Sequence, residues 1–219
     1  MPARNLLGAA AAFLALALPA LSPAADSDLS VNARLLLAAR NADVPGVERA
    51  LKAGASANAR NRLGETALVI ALKKKDLALA KAMLDAGTDV NIAAVNGITP
   101  LMAASHGGLT DIVATLLERG ADTRATDRLG KNAITYAAGE GHAGIVRQLL
   151  AKGVDANAVY RNDLTALMWA AGYGRTDAVK VLLDAGARTE LKDNRGKTAL
   201  DIAREGGYTQ TATLLEGRS

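Results

Sequence analysis

The sequence has no cysteine, one tryptophan, one phenylalanine and four tyrosines among its 219 residues. Without cysteine the chain has no disulfide, no thiolate metal ligand and no cysteine nucleophile. Aromatic residues make up 3% of the chain, which leaves little ring surface for the walls of a deep ligand cavity. The net charge of +4 is too small to indicate a nucleic-acid-binding surface, so no nucleic-acid partner is expected.

Motifs for catalysis and for cofactor binding are also missing. The sequence contains neither a phosphate-binding glycine loop nor a Gly-x-Ser-x-Gly nucleophile motif. His106 and His142 are the only histidines, and no further ligands stand at the spacing that a metal site needs. We therefore predict that the protein is not an enzyme and that it uses no cofactor and no metal.

The first 24 residues have the pattern of a signal peptide. Arg4 lies near the amino end, an apolar run covers residues 6–18, and small residues follow. This run is shorter than the roughly 20 residues that span a bilayer, which disfavours an uncleaved anchor. Cleavage is predicted after Ala24 or one residue later, and residues 25–29 are then a short linker. We expect an exported, periplasmic protein with no membrane span in its mature form.

The remainder of the chain is periodic, with a unit of 33 residues that repeats without insertion. Two ladders of glycines keep this step, one at the start of each unit and one near its end. The first ladder is Gly64, Gly97, Gly130 and Gly196, and the second is Gly54, Gly87, Gly120, Gly153 and Gly186. Such a regular period is typical of proteins that stack repeated structural units.

Each unit is predicted to hold two antiparallel helices and a projecting turn. Thr66, Thr99, Thr165 and Thr198 precede alanine-rich apolar runs, as helix N-caps do. A second run has apolar residues at helical spacing, as at Ile112, Val113, Leu116 and Leu117. A single unit cannot bury its apolar face alone, so neighbouring units are expected to stack around one continuous core.

Several motifs in these units resemble the ankyrin repeat. They are Thr99-Pro100-Leu101, Gly141-His142 and Leu-Leu-x-x-Gly-Ala-Asp at 116–122. The resemblance, to an ankyrin-repeat protein of an exported bacterial type, covers residues 30–219. It implies an all-α solenoid of about six helix-turn-helix repeats with projecting β-turn loops. The repeats are 30–60 (the N-terminal cap), 61–93, 94–126, 127–159, 160–192 and 193–219 (the C-terminal cap).

The sequence departs from the family pattern at two kinds of position. The histidine that usually follows the motif leucine is replaced by Val69, Met102, Thr135, Met168 and Asp201, which removes the usual Thr–His hydrogen bonds. Asp163 replaces a turn glycine. Aspartate tolerates a positive φ better than most residues do, so this turn is expected to persist with some strain.

The resemblance also implies where a partner protein binds, because the end of the first helix lines a concave groove in this family. Trp169, Tyr173 and Tyr136 would form an aromatic strip there, close to His106. Trp169 has two interpretations: it is part of the core between stacked helices, or it is an interface anchor. Tyr173 is the stronger interface candidate, because its equivalents in other repeats are mostly polar or glycine.

The turn tips give a second candidate surface. Four of the five tips contain an arginine, namely Arg62, Arg128, Arg161 and Arg195. These arginines are either solvated surface charges, or a row of guanidinium groups that contacts an acidic edge of a partner. We predict a monomeric scaffold that binds a partner protein through its groove and turn tips. The alternative is a basic surface that binds an anionic envelope polymer or a lipid head group, with a steep dependence on salt.

Overall fold

The computed structural model describes residues 29–218, and in this range the chain forms twelve α-helices in six pairs. The predicted signal peptide and residues 25–28 of the predicted linker lie outside the described range. The pairs are α1 Val31–Arg40 with α2 Val44–Lys52, α3 Ala67–Lys74 with α4 Leu77–Asp85, α5 Pro100–Gly107 with α6 Thr110–Glu118, α7 Ala133–Glu140 with α8 Ala143–Ala151, α9 Ala166–Gly172 with α10 Thr176–Asp184, and α11 Ala199–Glu205 with α12 Thr209–Glu216. A single 3-10 turn at Arg161–Asp163 and an isolated bridge between Arg60 and Thr66 are the remaining described elements. The predicted all-α architecture is confirmed.

Side-chain caps fix the start of the first helix in all six repeats. In the first repeat the cap is Ser30, whose hydroxyl oxygen accepts a hydrogen bond from Ala33 N at 3.2 Å. The four predicted threonine caps accept hydrogen bonds from the backbone N–H three residues later, at 3.2–3.3 Å. Asn132 accepts the same bond from Thr135. Each bond satisfies an N–H group that has no partner inside its helix. The cap predictions are confirmed, and the fourth repeat uses asparagine in place of threonine.

Three residues that replace the family histidine contribute to these caps. Thr135 Oγ1 accepts a hydrogen bond from the backbone N–H of Asn132 at 2.9 Å, and Asp201 Oδ2 accepts one from Thr198 N at 3.0 Å. Met168 Sδ lies 3.5 Å from Thr165 N. In each case the side chain contacts its own N-cap residue and so closes a capping box. Local capping thus supplies order at positions where the family pattern uses a Thr–His pair.

Two columns of buried residues run through the whole stack. In the first helices the column consists of Leu35, Leu68, Leu101, Ile134 and Leu167, all of which are essentially inaccessible to solvent. In the second helices it consists of Met83, Leu116, Leu149, Leu182 and Leu215. Leu200, the last member of the first column, is only partly buried because no further repeat covers it. Burial therefore depends on the neighbouring repeat, as expected for a solenoid.

Successive first helices pack more closely than successive second helices do. We infer from this difference that the stack is curved and that the first helices line its inner side. We call this inner side, together with the turn tips, the concave face.

Within residues 29–218, no helix is both long enough and apolar enough to cross a bilayer.

Backbone hydrogen bonds join most neighbouring turn tips. Val95 N donates to Leu63 O at 2.8 Å, and Arg128 N donates to Asn96 O at 3.0 Å. Gly97 is required at its turn, because φ is +84° and a Cβ would lie 2.8 Å from the Asp127 Cα. The fourth tip differs: Asn162 and Asp163 have φ values of 61° and 59°. The predicted positive φ at Asp163 is confirmed, and the adjacent residue shares it.

Candidate functional site

Four aromatic side chains from three consecutive repeats lie together on the concave face. Helices α5, α7 and α9 carry His106, Tyr136 and Trp169, and Tyr173 follows directly after α9. The His106 and Tyr136 rings meet edge to face, with centroids 5.6 Å apart. Trp169 and Tyr173 are stacked at 6.1 Å with an interplanar angle of 11°. The predicted strip is therefore brought together as two ring pairs.

Lys131 connects the two ring pairs. Its ammonium nitrogen lies 4.1 Å from the centroid of the Trp169 ring and 5.4 Å from that of Tyr136. A cation at these distances is attracted by the negative face of each ring. We call His106, Lys131, Tyr136, Trp169 and Tyr173 the aromatic cluster. The sequence analysis did not identify Lys131 as part of it.

Tyr136 is fixed to a turn tip by a short hydrogen bond. Its hydroxyl donates to Asp127 Oδ2 at 2.6 Å, while Asp127 Oδ1 accepts from Leu129 N and Lys131 N at 2.8 and 2.9 Å. Burial raises the pKa of the Tyr136 hydroxyl well above its usual value, and the neighbouring carboxylate raises this pKa further. The phenol is therefore held as a hydrogen-bond donor, and the cluster is tied to the turn beside it.

Exposure differs within the aromatic cluster. Tyr173 is 50% exposed, whereas Trp169 is half-buried and contacts both the Tyr173 ring and the Lys131 ammonium of the preceding repeat. Gly139 lies beneath both rings, since a Cβ at that position would be 3.6 Å from Tyr173 Cδ2 and 4.0 Å from Trp169 Cε3. His106 is exposed, and its Nε2 lies 3.6 Å from Glu140 Oε1. Trp169 thus has both a framework contact and an accessible surface.

The four arginines of the turn tips are all exposed, but they differ in their contacts. Arg195 donates two hydrogen bonds to Asp193 Oδ2, at 2.6 and 2.9 Å. Arg161 donates to the carbonyl of Arg128 at 3.4 Å. Among the described residues, Arg62, Arg128 and Arg161 have no ion pair, and none of the four arginines forms a hydrogen bond, an ion pair or a cation–π contact with the aromatic cluster.

Asp193 is a buried acid whose pKa lies below its usual value. Burial alone would raise this pKa, but hydrogen bonds from the backbone of Lys197 and from Arg195 outweigh the effect of burial. The carboxylate therefore stays charged and holds the Arg195 side chain against its own turn. Arg195 is the least available of the four arginines for a partner.

Apolar side chains at the turn tips were not among the predicted site residues. Leu63, Val95 and Leu129 are 63%, 51% and 61% exposed. They alternate with or adjoin the arginines along the same row, so the row is amphipathic rather than purely basic. The sequence could have indicated them, because each is a large aliphatic residue in a projecting turn, where it cannot be buried in the core.

His142 Nε2 lies 3.2 Å from the carbonyl oxygen of His106, a hydrogen bond between neighbouring repeats. In residues 29–218, no three side chains of the metal-binding types stand close enough together to hold a metal ion.

A family model described as ankyrin repeats (3 copies) matches residues 35–127 and 134–217. The two matched segments include all or part of every helix pair in the structure. No curated protein matches the chain.

Proposed function

Because the chain belongs to the ankyrin-repeat family, whose repeats generally mediate protein–protein interaction, we propose that it is a scaffold that binds a partner protein through its concave face. The family is typically non-enzymatic. The proposal assigns the aromatic cluster as the anchor of the interface and the turn tips as its edge.

The observation that carries this proposal is the exposed ring of Tyr173, stacked on Trp169 in the concave face. Tyrosine and tryptophan contribute large contact areas with few rotatable bonds, and they are enriched at the energetic centres of interfaces. Here the rings are already ordered by stacking and by Lys131. A preformed surface of this kind loses little conformational entropy when a partner docks.

The turn tips support a second zone of contact. Arg62 and Arg128 extend without ion pairs among the described residues, and exposed aliphatic side chains adjoin them. A guanidinium group binds a carboxylate with two parallel hydrogen bonds, so this edge suits a partner surface with acidic and apolar residues.

Export forms part of the proposal and depends on residues 1–24, which lie outside the described range. We propose that the mature protein acts in the periplasm as a monomer. A fusion of alkaline phosphatase after residue 30 tests this, because that enzyme is active only after export. An inactive fusion with normal expression would contradict the proposed location, and light scattering on the purified chain tests the oligomeric state.

A basic surface for an anionic envelope polymer or a lipid head group is the second candidate. It is favoured by the unpaired tip arginines and by the run of lysines from Lys73 to Lys75. Salt separates the two functions. Polymer binding releases counterions and weakens steeply as ionic strength rises, whereas an aromatic-anchored protein contact weakens less.

Affinity capture from an envelope extract tests the proposal, with the wild type compared with Tyr173→Ala and Arg128→Ala. Leu77→Ala is the matched control, because Leu77 is 51% exposed but begins a second helix, away from the concave face. We expect specific proteins to be retained by the wild type and by the control, and to be lost with Tyr173→Ala. Retention that is equal for all four proteins would refute binding through the concave face.

A further inference from the structure

A pocket beside the aromatic cluster indicates which kind of partner segment the concave face binds. It lies between the ends of α3 and α5 and has a volume of about 290 Å³. Its apolar lining includes Ile98, Met102, Ala103 and the Tyr136 ring, while Lys75 and His106 lie at its rim. This space is large enough for a single leucine or phenylalanine side chain. Tyr136 and His106 also belong to the aromatic cluster, so the two surfaces are continuous.

The rim of this pocket adjoins a concentration of positive charge. Lys73, Lys74 and Lys75 end the first helix of their repeat, and the Lys74 ammonium donates to the carbonyl of Arg40 in the preceding repeat. We call Arg40, Lys73, Lys74 and Lys75 the cationic cluster. All four side chains belong to exposed residues at the ends of α1 and α3.

Local acids neutralise only part of this charge. Lys73 pairs with Glu65 at 2.7 Å. Burial opposes the charged form of Glu65, but hydrogen bonds from Lys73 and Asn61 outweigh it and hold its pKa below the usual value. The carboxyl-terminal end of a helix is equivalent to about half a negative charge, which is much less than the three lysines carry. Among the described residues, Lys75 has no acidic partner.

We propose that the concave face binds a protein segment in which a large apolar side chain stands next to an acidic residue. The apolar side chain enters the pocket between α3 and α5, and the carboxylate pairs with Lys75. This inference depends on the proposed protein-binding function and specifies its partner. The acidic residue supplies the counter-charge that the cationic cluster lacks, and the pocket removes the apolar side chain from water.

Selection from a displayed library of random twelve-residue peptides tests this inference on the protein lacking residues 1–24. We expect wild-type protein to enrich peptides with Asp or Glu beside Leu, Phe or Met. In the consensus peptide, serine in place of the apolar residue should weaken binding to the wild type by tenfold or more, since the burial of the apolar side chain is lost.

A charge reversal provides the specific arm of the test. Lys75→Glu should weaken binding of the consensus peptide about tenfold, because an attraction is replaced by a repulsion. Replacing the acidic residue of the peptide with lysine should restore binding to Lys75→Glu. Lys81→Glu is the matched control, since Lys81 is an exposed lysine on α4, and it should bind the original peptide as the wild type does.

The outcomes separate this inference from the proposed function. If the selected peptides need Tyr173 but show no preference for acidic residues, or if Lys75→Glu and Lys81→Glu bind equally, the inference is wrong and the proposed function stands. If no selected peptide loses affinity with either Tyr173→Ala or Lys75→Glu, the concave face is not the binding surface and both fail. Circular dichroism of each variant establishes that it is folded.

Discussion

The ammonium group of Lys131 lies 4.1 Å from the centre of the Trp169 ring, although the two residues belong to different repeats. The same group lies 5.4 Å from the ring of Tyr136. The contact therefore links the turn of one repeat to the first helix of the next, and it orders the ring on which Tyr173 stacks. Such a cation between two rings contributes both to the stability of the stack and to the shape of the concave face.

Lys131→Met should lower the free energy of unfolding by about 0.5–2 kcal/mol, because methionine keeps the length of the side chain but removes its charge. We also expect the tryptophan emission of the folded protein to change, since Trp169 is the only tryptophan. Chemical denaturation followed by tryptophan emission measures both the free energy of unfolding and this change. Lys152→Met, at an exposed lysine that follows α8, is the control and should alter neither. Equal behaviour of the two variants would mean that the contact has no energetic role.

The stacked architecture could be predicted from the sequence, whereas this contact could not. A constant 33-residue period forces equivalent residues into columns, so the caps at Thr66 and Thr99 and the buried leucine columns follow from any one repeat. The position of Lys131 does not follow in this way. Its equivalents are Glu65, Ile98, Leu164 and Lys197, so the repeat pattern does not require a cation there. Its two ring partners come close only after two repeats have stacked.

The turn tips illustrate the same limit. The alignment of the repeats predicted that the turn tips are exposed and that four of the five contain an arginine. The pairing of Arg195 with Asp193 could not be predicted in this way, because it depends on side-chain directions within one turn. The pocket beside Lys75 was likewise not predicted, since its walls come from three different repeats.

Ala42→Gly should stabilise the protein by about 1 kcal/mol. Ala42 has a φ of 57°, and this left-handed conformation costs an L-residue roughly 1–2 kcal/mol that glycine does not lose. The equivalent residues of four later repeats are glycines with positive φ, for example Gly108 and Gly141. Ala86→Gly is the control, because Ala86 has a φ of −74°. Thermal unfolding measures both, and an Ala42→Gly variant no more stable than the wild type would show that this strain is absent.

Arg124→Asn should stabilise the seam between the third and fourth repeats by about 0.5–1.5 kcal/mol. The side chains of Asn58, Asn91 and Asn157 each accept a hydrogen bond at 2.8 Å from a backbone N–H in the next repeat. Arg124 occupies the equivalent position and has no side-chain oxygen to accept one. Its own contact with Asp122, at 3.8 Å and highly exposed, contributes little.

The reciprocal change tests this explanation. Asn91→Arg should destabilise the seam between the second and third repeats, because it removes the bond to Asp122 N. Urea unfolding gives both free energies. If Arg124→Asn is neutral while Asn91→Arg is destabilising, the backbone near Asp155 does not offer the N–H group in the orientation that the other seams use.

Asp193 should make the protein less stable in acid. Its folded-state pKa is lowered from 3.8, so the folded chain binds its proton less readily than the unfolded chain does. The stabilisation is therefore complete above about pH 4 and is lost as the pH falls through the lower, folded-state pKa. In Asp193→Asn the side-chain oxygen can still accept hydrogen bonds from the backbone N–H groups of the turn, as that of Asn61 does in its own repeat. The amide, however, cannot ionise. Urea unfolding at pH 7 and below pH 4 should show a smaller acid-induced loss for the variant, and equal losses would remove Asp193 as a cause.

Leu117→Ala and Tyr173→Ala should separate stability from binding. Leu117 is 8% exposed on α6, so its truncation should cost about 2–5 kcal/mol of unfolding free energy through lost burial and a residual cavity. Tyr173 is 50% exposed, and removing its ring should cost much less stability while weakening partner capture. Calorimetry and the capture assay on both variants give the comparison. If Tyr173→Ala unfolds as early as Leu117→Ala does, the ring supports the stack and its loss cannot report on binding. If Tyr173→Ala keeps its melting temperature and loses the partner, the exposed ring is the anchor, because stacking on Trp169 holds it in place before the partner arrives.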